Sequence, residues 1–246
     1  MAVLSQLSPL ERFLLTVADD TEDAPWMVMA DLQVRAVDIL KPILRLHIAR
    51  QRLPWYLASY LKITRRRPGS ARLLEAAPDL LVAVGGAERL RTSWSIEGEG
   101  KPPQFVIEMT SASSWERDRV EKPPIYDGMG VAEYALFFPE RKDGGPLLFG
   151  YRRDAAGQFV PWESDAGGVL WSRELGLGLY VEDGLWLRAV DAQGQRLPTP
   201  SEWAEAEVAR AEREAARAER EAARAEEEAG RVASASARAV AEAARA

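Results

Sequence analysis

The sequence predicts a mixed α/β, or α+β, domain that is followed by a long C-terminal helix. Two stretches indicate buried strands, because residues 79–84 form a continuous apolar run and residues 104–110 alternate between two faces. Residues 31–52 carry apolar side chains at helical spacing, and Pro42 is expected to bend that helix. We therefore expect a central sheet that is flanked by helices.

Further elements are expected on both sides of this pair of strands. Residues 8–19 begin with a capping box that has proline at the first helical position, which predicts a short helix. Residues 55–63 and 131–138 have the composition of strands, and residues 114–121 are polar and helical in character. Residues 146–190 contain short apolar runs separated by Gly, Asp and Pro, which predicts a β-meander that continues or flanks the sheet.

The composition changes to Ala, Arg and Glu in the last part of the chain. A seven-residue unit at residues 211–217 recurs at 218–224 and, in degenerate form, at 225–231. Its alanines keep the spacing of a coiled-coil seam, and the helix is expected to fray beyond Gly230. A solvated single helix and a coiled-coil homodimer both fit this pattern. The expected regions are an N-terminal helical segment (1–30), the main domain (31–198) and the tail (199–246).

Composition excludes several kinds of chemistry. The chain has 246 residues, 47% of them hydrophobic, which is enough for a sizeable core. It has no cysteine, so disulfides, thiolate zinc sites and thiol nucleophiles are all excluded. His47 is the single histidine, which excludes multi-histidine metal sites and argues against a Ser-His-Asp triad. Its apolar helical surroundings favour a packing role.

Charge and hydropathy bear on location and partners. No apolar stretch approaches the roughly 18 residues of a membrane span, and four acidic residues precede any cleavage-like site, so we expect a cytoplasmic protein. These residues are Asp19, Asp20, Glu22 and Asp23. The net charge of −6 argues against non-specific coating of nucleic acid. Two local clusters of arginines are exceptions to this negative net charge. Each fits either a surface that contacts phosphates or a solvated loop. They comprise Arg65, Arg66 and Arg67, and Arg117 with Arg119.

Two carboxylates on neighbouring segments are the best candidates for chemistry. Asp79 begins one predicted strand and Glu108 lies within another, so they would hold Mg²⁺ or Mn²⁺ if these strands pair. The main-chain carbonyl of Met109 is a third candidate ligand. A lysine two residues after Glu108 would share its strand face, but Thr110 occupies that position. Lys122, carried back by the helix that follows, is the substitute candidate.

At these residues the chain resembles the Uma family, a restriction-endonuclease branch of the PD-(D/E)XK nuclease superfamily. The correspondence extends over residues 31–187. The matching segments are Pro78–Val82, Phe105–Ser111, Asp118–Lys122 with Tyr126, and Gly130–Tyr134. The resemblance implies a restriction-endonuclease-like core with a mixed sheet, Asp79 and Glu108 as metal ligands, and a lysine displaced from its usual strand position.

One local feature departs from the family pattern. Pro123 and Pro124 follow Lys122 where the family continues a helix towards its tyrosine. A residue before proline is disfavoured in the helical region, which would place Lys122 at a helix junction with its side chain aimed differently. Pro123 is equally suited to begin a new helix, which would leave Lys122 near its N-terminus.

Together these features predict a magnesium- or manganese-dependent endonuclease that hydrolyses DNA through a metal-activated water. Asp79, Glu108 and Lys122 are the expected catalytic residues, with support from Thr110, Asp118 and Tyr126. One alternative is a catalytically silent nucleic-acid-binding or regulatory module on the same fold. Another is an assembly protein that recruits a protein partner through its C-terminal helix.

Overall fold

The computed structural model describes residues 25–67, 72–139, 141, 144–145 and 147–243. The chain divides into two compact units, Met1–Thr199 and Pro200–Ala246. The first unit has the mixed α+β architecture that the sequence predicts. The helix predicted over residues 8–19 lies outside the described residues.

The first unit combines helices with short strands. In chain order these are α1 (Pro25–Gln51), β1 (Trp55–Ser59), β2 (Ile63–Arg66), β3 (Leu73–Ala76), β4 (Leu80–Val84), β5 (Trp94–Ser95), α2 (Ile96–Glu99), β6 (Phe105–Met109), a π-helical turn (Arg117–Glu121), α3 (Lys122–Met129), β7 (Glu133–Phe137), β8 (Leu148–Arg153), β9 (Phe159–Glu163), β10 (Leu170–Ser172), β11 (Leu177–Glu182) and β12 (Trp186–Val190). The predicted strand at residues 55–63 is in fact two strands, because Tyr60 has left-handed backbone (φ 55°) directly after β1. Strands β3 and β5 and helix α2 are not predicted from the sequence, because they are too short to show a periodic pattern.

Helix α1 covers one face of the main sheet. It begins at Pro25, earlier than predicted, since proline is a favourable first helical residue and residues 26–30 contain no glycine or proline. The helix continues through Pro42. Its buried stripe has the spacing of an amphipathic helix and consists of Leu32, Ala36, Val37, Leu40, Ile43 and Leu44.

Six strands form the main sheet in the order β1-β4-β6-β7-β8-β9. Strands β6 and β7 run parallel, whereas the other neighbours pair antiparallel. A parallel pair needs a crossover connection, and here the π turn and α3 provide it. The crossover therefore passes over the sheet directly above β6 and β7.

Alternating side chains give the sheet two buried faces. The face that packs with α1 includes Leu80, Val82, Phe105 and Ile107. The opposite face packs with α3 and includes Leu81, Val106, Tyr134 and Leu136. Glu108 lies two residues after Val106 and so points to the same face of the sheet. Its carboxylate therefore enters the layer between the sheet and α3.

Two three-stranded sheets complete the first unit, in the orders β10-β11-β12 and β3-β2-β5. The predicted meander is thus divided, with β8 and β9 extending the main sheet and β10–β12 forming a sheet of their own. A buried carboxylate joins these two sheets. Glu133 of β7 accepts hydrogen bonds from Ser172 Oγ of β10 (2.5 Å) and from the Arg173 amide (2.8 Å).

The second unit consists of one long helix, α4 (Pro200–Ala243). The extended C-terminal helix is confirmed, whereas the expected fraying beyond Gly230 is wrong. Ala and charged residues with high helix propensity surround that single glycine, so one unfavourable residue does not end the helix. Pairing of this helix with a second copy stays a prediction. None of the described helices is long and apolar enough to cross a membrane.

The buried Glu133 carboxylate generates a prediction about pH. Burial raises its pKa, with the bonds from Ser172 and Arg173 opposing that effect. A carboxyl group whose pKa is raised by folding stabilises the fold fully below its unfolded pKa of about 4.3, and that contribution declines as pH rises through the folded pKa. The free-energy advantage of the wild type over Glu133→Gln should therefore shrink as the pH rises above about 4.3.

Urea unfolding at several pH values measures this difference. Glu116→Gln removes one exposed carboxylate from the surface and serves as the matched control. An advantage of the wild type that grows with pH would contradict the assignment.

Candidate active site

The pairing of β4 with β6 brings the two predicted carboxylates together. The register joins Leu80 to Ile107, so Asp79, just before β4, lies opposite Glu108. Asp79 Oδ2 accepts a hydrogen bond of 2.6 Å from the Met109 amide. Because this bond joins the start of β4 to the end of β6, it fixes the Asp79 carboxylate beside that of Glu108.

Glu108 is buried, with 3% of its surface exposed. Its Oε1 atom accepts a hydrogen bond of 2.6 Å from the Tyr126 hydroxyl and lies 2.8 Å from Lys122 Nζ. Both partners come from α3, which covers this face of the sheet. The crossover therefore supplies the donors for a carboxylate that the strand alone would leave in an apolar layer.

Both carboxyl groups have raised pKa values. Burial raises the pKa of Glu108 to about 7, with Lys122 opposing the shift and Asp79 adding to it. Burial also raises the pKa of Asp79, against the opposing effects of the Met109 amide and of Lys122. Two adjacent acids, one buried and one half-buried, cannot both ionise easily, which is the electrostatic condition that a bound cation relieves.

Lys122, the first residue of α3, joins two carboxylates. Its Nζ atom lies 2.7 Å from Asp118 Oδ1 as well as 2.8 Å from Glu108 Oε1, and 14% of its side chain is exposed. Burial lowers its pKa, but the Glu108 and Asp118 carboxylates outweigh burial and the net shift is upward. Lys122 is consequently a protonated ammonium group and not a base.

The π turn explains how Lys122 reaches the site in spite of the prolines after it. Lys122 keeps helical backbone angles (φ −74°, ψ −35°), and its amide donates to the carbonyl of Arg117, five residues earlier. The helix then continues as α3 with prolines in its first turn. Of the two arrangements that the sequence left open, the structure thus has Lys122 at the start of a new helix.

Two tyrosines complete the hydrogen bonding of the π turn. Pro123 and Pro124 have no amide hydrogen, so they cannot donate to the carbonyls of Asp118 and Arg119. The Tyr134 hydroxyl donates to the Asp118 carbonyl (2.7 Å), and the Tyr151 hydroxyl donates to that of Arg119 (3.3 Å). These tyrosines belong to β7 and β8, so the sheet itself holds the turn that positions Asp118 and Lys122.

Two other predicted residues have different surroundings. Thr110 is fully buried, and its hydroxyl has no hydrogen-bond partner among the described residues. Its amide donates to the Phe137 carbonyl (2.7 Å), which continues the β6–β7 pairing. The Met109 carbonyl accepts a hydrogen bond of 2.6 Å from Gln33 Nε2 of α1. A carbonyl oxygen has two lone pairs, so this contact leaves one for a further partner.

The predicted arginines divide into separate groups. Arg65 donates to the Gly128 carbonyl (2.9 Å) at the C-terminal end of α3, whereas Lys122 begins that helix. Arg66 and Arg67 are exposed on and after β2. Arg117 and Arg119 lie on the π turn, and the Arg119 guanidinium lies over the Trp115 ring. The last two are therefore the arginines of this set that the chain holds near Lys122.

Sequence reasoning missed three residues of this site: Gln33, Tyr134 and Tyr151. Gln33 is one polar residue on a long helix, and no local pattern marks it. Tyr134 lies in the segment that carries the family resemblance, but its role depends on carbonyls that the proline pair leaves without a donor. An X-Pro-Pro sequence within a helix is a signal that outside donors are needed, although it does not say which.

As arranged, the site offers two adjacent carboxylates, a main-chain carbonyl and an ammonium group. Hard divalent cations prefer such oxygen ligands, and an ammonium group beside them suits an anionic substrate. Among the described residues, no group of three or more His, Cys, Asp or Glu side chains is arranged to hold a metal ion. A cation here would thus depend on two carboxylates, with the remaining ligands from the main chain, water or substrate.

Comparisons with curated proteins and with solved structures add no support to this interpretation of the site. No curated protein matches the chain. One solved structure, described as a putative nuclease belonging to DUF820 from Anabaena variabilis ATCC 29413, is 16% identical, with 56% of this chain and 69% of that chain covered and a TM-score of 0.38. A likeness at that level supports no argument about the site.

A family comparison is more decisive. The family model named Uma2 and described as "putative restriction endonuclease" matches residues 28–187, which is well over half of the chain and includes every residue of the carboxylate–lysine site. The family predicted from the sequence is thereby confirmed: this chain belongs to the Uma2 family of putative restriction endonucleases.

Proposed function

We propose that the protein is a divalent-metal-dependent endonuclease that hydrolyses phosphodiester bonds of DNA. One observation carries the proposal: Asp79, Glu108 and Lys122 come from three separate elements and meet at one point. Family membership supports a nuclease, and the site adds a chemical reason. A protonated lysine beside two acids suits a reaction in which negative charge increases on a phosphate group.

The residues present fit Mg²⁺ or Mn²⁺. Asp79 and Glu108 would hold the ion, and the second lone pair of the Met109 carbonyl is available as a third ligand. Mg²⁺ commonly binds to one or two carboxylates and completes its coordination with water and substrate phosphate, so two acids suffice. The ion, when bound, supplies a Lewis acid that polarises the phosphate and lowers the pKa of water.

The side chains of the site have distinct proposed roles. The Met109 amide fixes one oxygen of Asp79, and the Tyr126 hydroxyl fixes one oxygen of Glu108. Lys122 donates hydrogen bonds from its ammonium group, which would orient the attacking water or stabilise charge on the phosphate. It does not take the proton from the water, because its pKa is raised. Asp118 holds the lysine in place from the π turn.

The first prediction concerns the two acids. Asp79→Asn and Glu108→Gln keep the size and a hydrogen-bond acceptor but remove a metal ligand charge, so each should lower the rate of plasmid cleavage at least about a hundredfold. Cleavage should require added Mg²⁺ or Mn²⁺ and stop with EDTA. Glu163→Gln, which neutralises an exposed acid on β9, should cleave like the wild type.

Calorimetry of Mn²⁺ binding to the same variants gives an independent readout. Activity that survives both substitutions would overturn the mechanism. Metal and DNA binding with no cleavage of any DNA would instead favour the catalytically silent module.

A second prediction concerns Lys122. Lys122→Gln should lower kcat at least about tenfold, because a neutral amide cannot compensate the charge that develops on the phosphate. It should also destabilise the fold by about 3 kcal/mol, since two buried acids lose their cation. Lys62→Gln removes a lysine from an exposed ion pair with Glu75 and is the matched control.

The double variant Lys122→Gln/Asp118→Asn separates these two effects. It removes one unpaired acid together with the lysine, so stability should recover in part while kcat stays low. If urea unfolding and kcat recover together, then Lys122 has only a structural role.

A third prediction concerns the tyrosine on β7. Tyr134→Phe removes the donor to the Asp118 carbonyl, so kcat should fall while KM for DNA stays near the wild-type value. The free energy of unfolding should also decrease by about 1–3 kcal/mol. Tyr180→Phe, which removes a hydroxyl 3.5 Å from Glu182 on β11, is the control.

Adding Pro123→Ala to Tyr134→Phe restores an amide hydrogen within reach of the π-turn carbonyls. We expect the double variant to regain part of the lost kcat, since the turn then has an internal donor. A double variant whose losses simply add would show that Tyr134 does not act through the turn.

A further inference from the structure

Tyr60 lies beside the two carboxylates of the main sheet. The register of β1 with β4 joins Ser59 to Leu80, so the next residue after β1, Tyr60, lies opposite Asp79. Asp79 in turn lies opposite Glu108 through the register of β4 with β6. Tyr60, Asp79 and Glu108 therefore form one row across three neighbouring segments of the sheet, which spans about 10 Å.

The backbone of Tyr60 is fixed to that of Asp79 and has an uncommon conformation. Its amide donates hydrogen bonds to the carbonyls of Pro78 (3.1 Å) and Asp79 (3.3 Å). Its φ of 55° lies in the left-handed region, which carries a steric cost for a residue that has a side chain. Two other non-glycine residues among those described share this feature, but Arg52 follows the end of α1 and Asp183 begins the turn between β11 and β12. Those are the usual places for it, whereas an aromatic residue just after a strand is not.

The Tyr60 side chain is exposed at the rim of the site. Of the whole residue, 56% is exposed, which is a large fraction for a tyrosine beside a buried sheet. Partial burial raises the pKa of its hydroxyl, and the Asp79 and Asp38 carboxylates raise it further, so the hydroxyl lies within electrostatic range of Asp79. The ring is thus presented to a substrate that is bound at the carboxylates.

An aromatic ring in this position suits a nucleobase. Stacking on an aromatic side chain holds any base, since every base has a π face. Bases within a duplex stack on one another and present only their edges in the grooves, so their faces are covered. The Tyr60 ring can therefore stack only on a base that is unpaired or displaced from the helix.

The charged groups near Tyr60 are of both signs. Lys41 of α1 donates a hydrogen bond to the hydroxyl of Ser59 (2.5 Å), and Asp38 precedes Lys41 by less than one turn of the same helix. One ammonium group and one carboxylate leave little net charge to attract a phosphate backbone at this point. A contribution of Tyr60 to binding would come from its ring and would not depend on salt.

We propose that Tyr60 stacks on an unpaired base next to the phosphate that is cleaved, so that the substrate class is DNA with a single-stranded segment. This inference rests on the proposed endonuclease function and deepens it, because it names the form of DNA that the site accepts. The left-handed backbone at Tyr60 is then a cost to stability that substrate binding offsets.

Binding of single-stranded and duplex DNA tests the proposal. The full chain is titrated against a fluorescein-labelled single strand and against the same strand in a fully paired duplex, in EDTA, which prevents cleavage. Tyr60→Leu removes the π face but keeps an apolar side chain, so affinity for the single strand should fall at least about fivefold. Affinity for the duplex should stay near the wild-type value. The slope of log K against log salt, measured between about 50 and 200 mM, should not change, because no charge is removed.

Two further substitutions separate stacking from folding. Tyr60→Phe keeps the ring without the hydroxyl and should bind like the wild type. Tyr60→Asn also removes the ring, but asparagine tolerates left-handed backbone, so its urea midpoint should exceed that of Tyr60→Leu while both bind the single strand weakly. Leu90→Ala removes an exposed apolar side chain beyond the opposite end of β4 from Asp79, and this control should bind like the wild type.

Several outcomes would overturn the inference and leave the endonuclease proposal standing. One is wild-type affinity of Tyr60→Leu for the single strand, and another is an equal loss of affinity for strand and duplex. Weak binding by Tyr60→Phe would assign the effect to the hydroxyl, and tighter wild-type binding to the duplex would exclude the substrate class. If the wild type neither binds nor cleaves DNA of either form, the proposed function itself fails, and the inference fails with it.

Discussion

Most of the site's architecture depends on the burial of the Glu108 carboxylate. Its strand is fully buried, and 3% of the residue is exposed, so ionisation would carry an effective penalty of several kcal/mol without partners. The Tyr126 hydroxyl and the Lys122 ammonium group supply that compensation from the same helix. A crossover between two parallel strands is thus also the source of donors for the acid beneath it.

Pro123 and Pro124 are expected to break the helix at Lys122, but the helical backbone continues through it. Prolines remove two donors and disfavour helical backbone in the preceding residue, yet Lys122 remains helical. A widened π turn accommodates this change, and such turns often occur at functional sites. Tyr134 and Tyr151 then supply from the sheet the hydrogen bonds that the helix cannot make internally. Lys122 is therefore positioned by packing on β7 and β8 as well as by its own helix.

The site also lies at the edge of the sheet where the parallel strands β6 and β7 end. Strands β6 and β7 are parallel, so their carboxyl ends meet at one edge, and polar residues that follow them come together there. Met109, Thr110 and the serine-rich turn after them leave β6 at this edge, and Arg117 and Arg119 lie on the π turn that follows. Acids and arginines occupy adjacent positions along it. A bound cation would lower the electrostatic energy of the acids, and an anionic nucleic-acid strand would lower that of the arginines.

Several features were predictable from the sequence because they depend on local patterns. The apolar run of β4, the alternation in β6, the long helix α1 and the repeated tail are periodic signals, and each is confirmed as a strand or helix. Asp79 and Glu108 were identifiable as a pair by their places in these strands. The order of motifs around them also indicated the family, which the family comparison confirms.

Other features exist only in the folded chain, because they depend on contacts between residues far apart in sequence. The register that sets Asp79 opposite Glu108 arises from sheet pairing, and the Gln33 contact to Met109 arises from helix packing across 76 residues of chain. Thr110 has the expected strand position but is buried, and its hydroxyl has no described partner. Residue types and spacing thus determined which groups were available for chemistry. Tertiary packing determined the direction of Lys122, since the donors that replace the missing proline amides come from other strands.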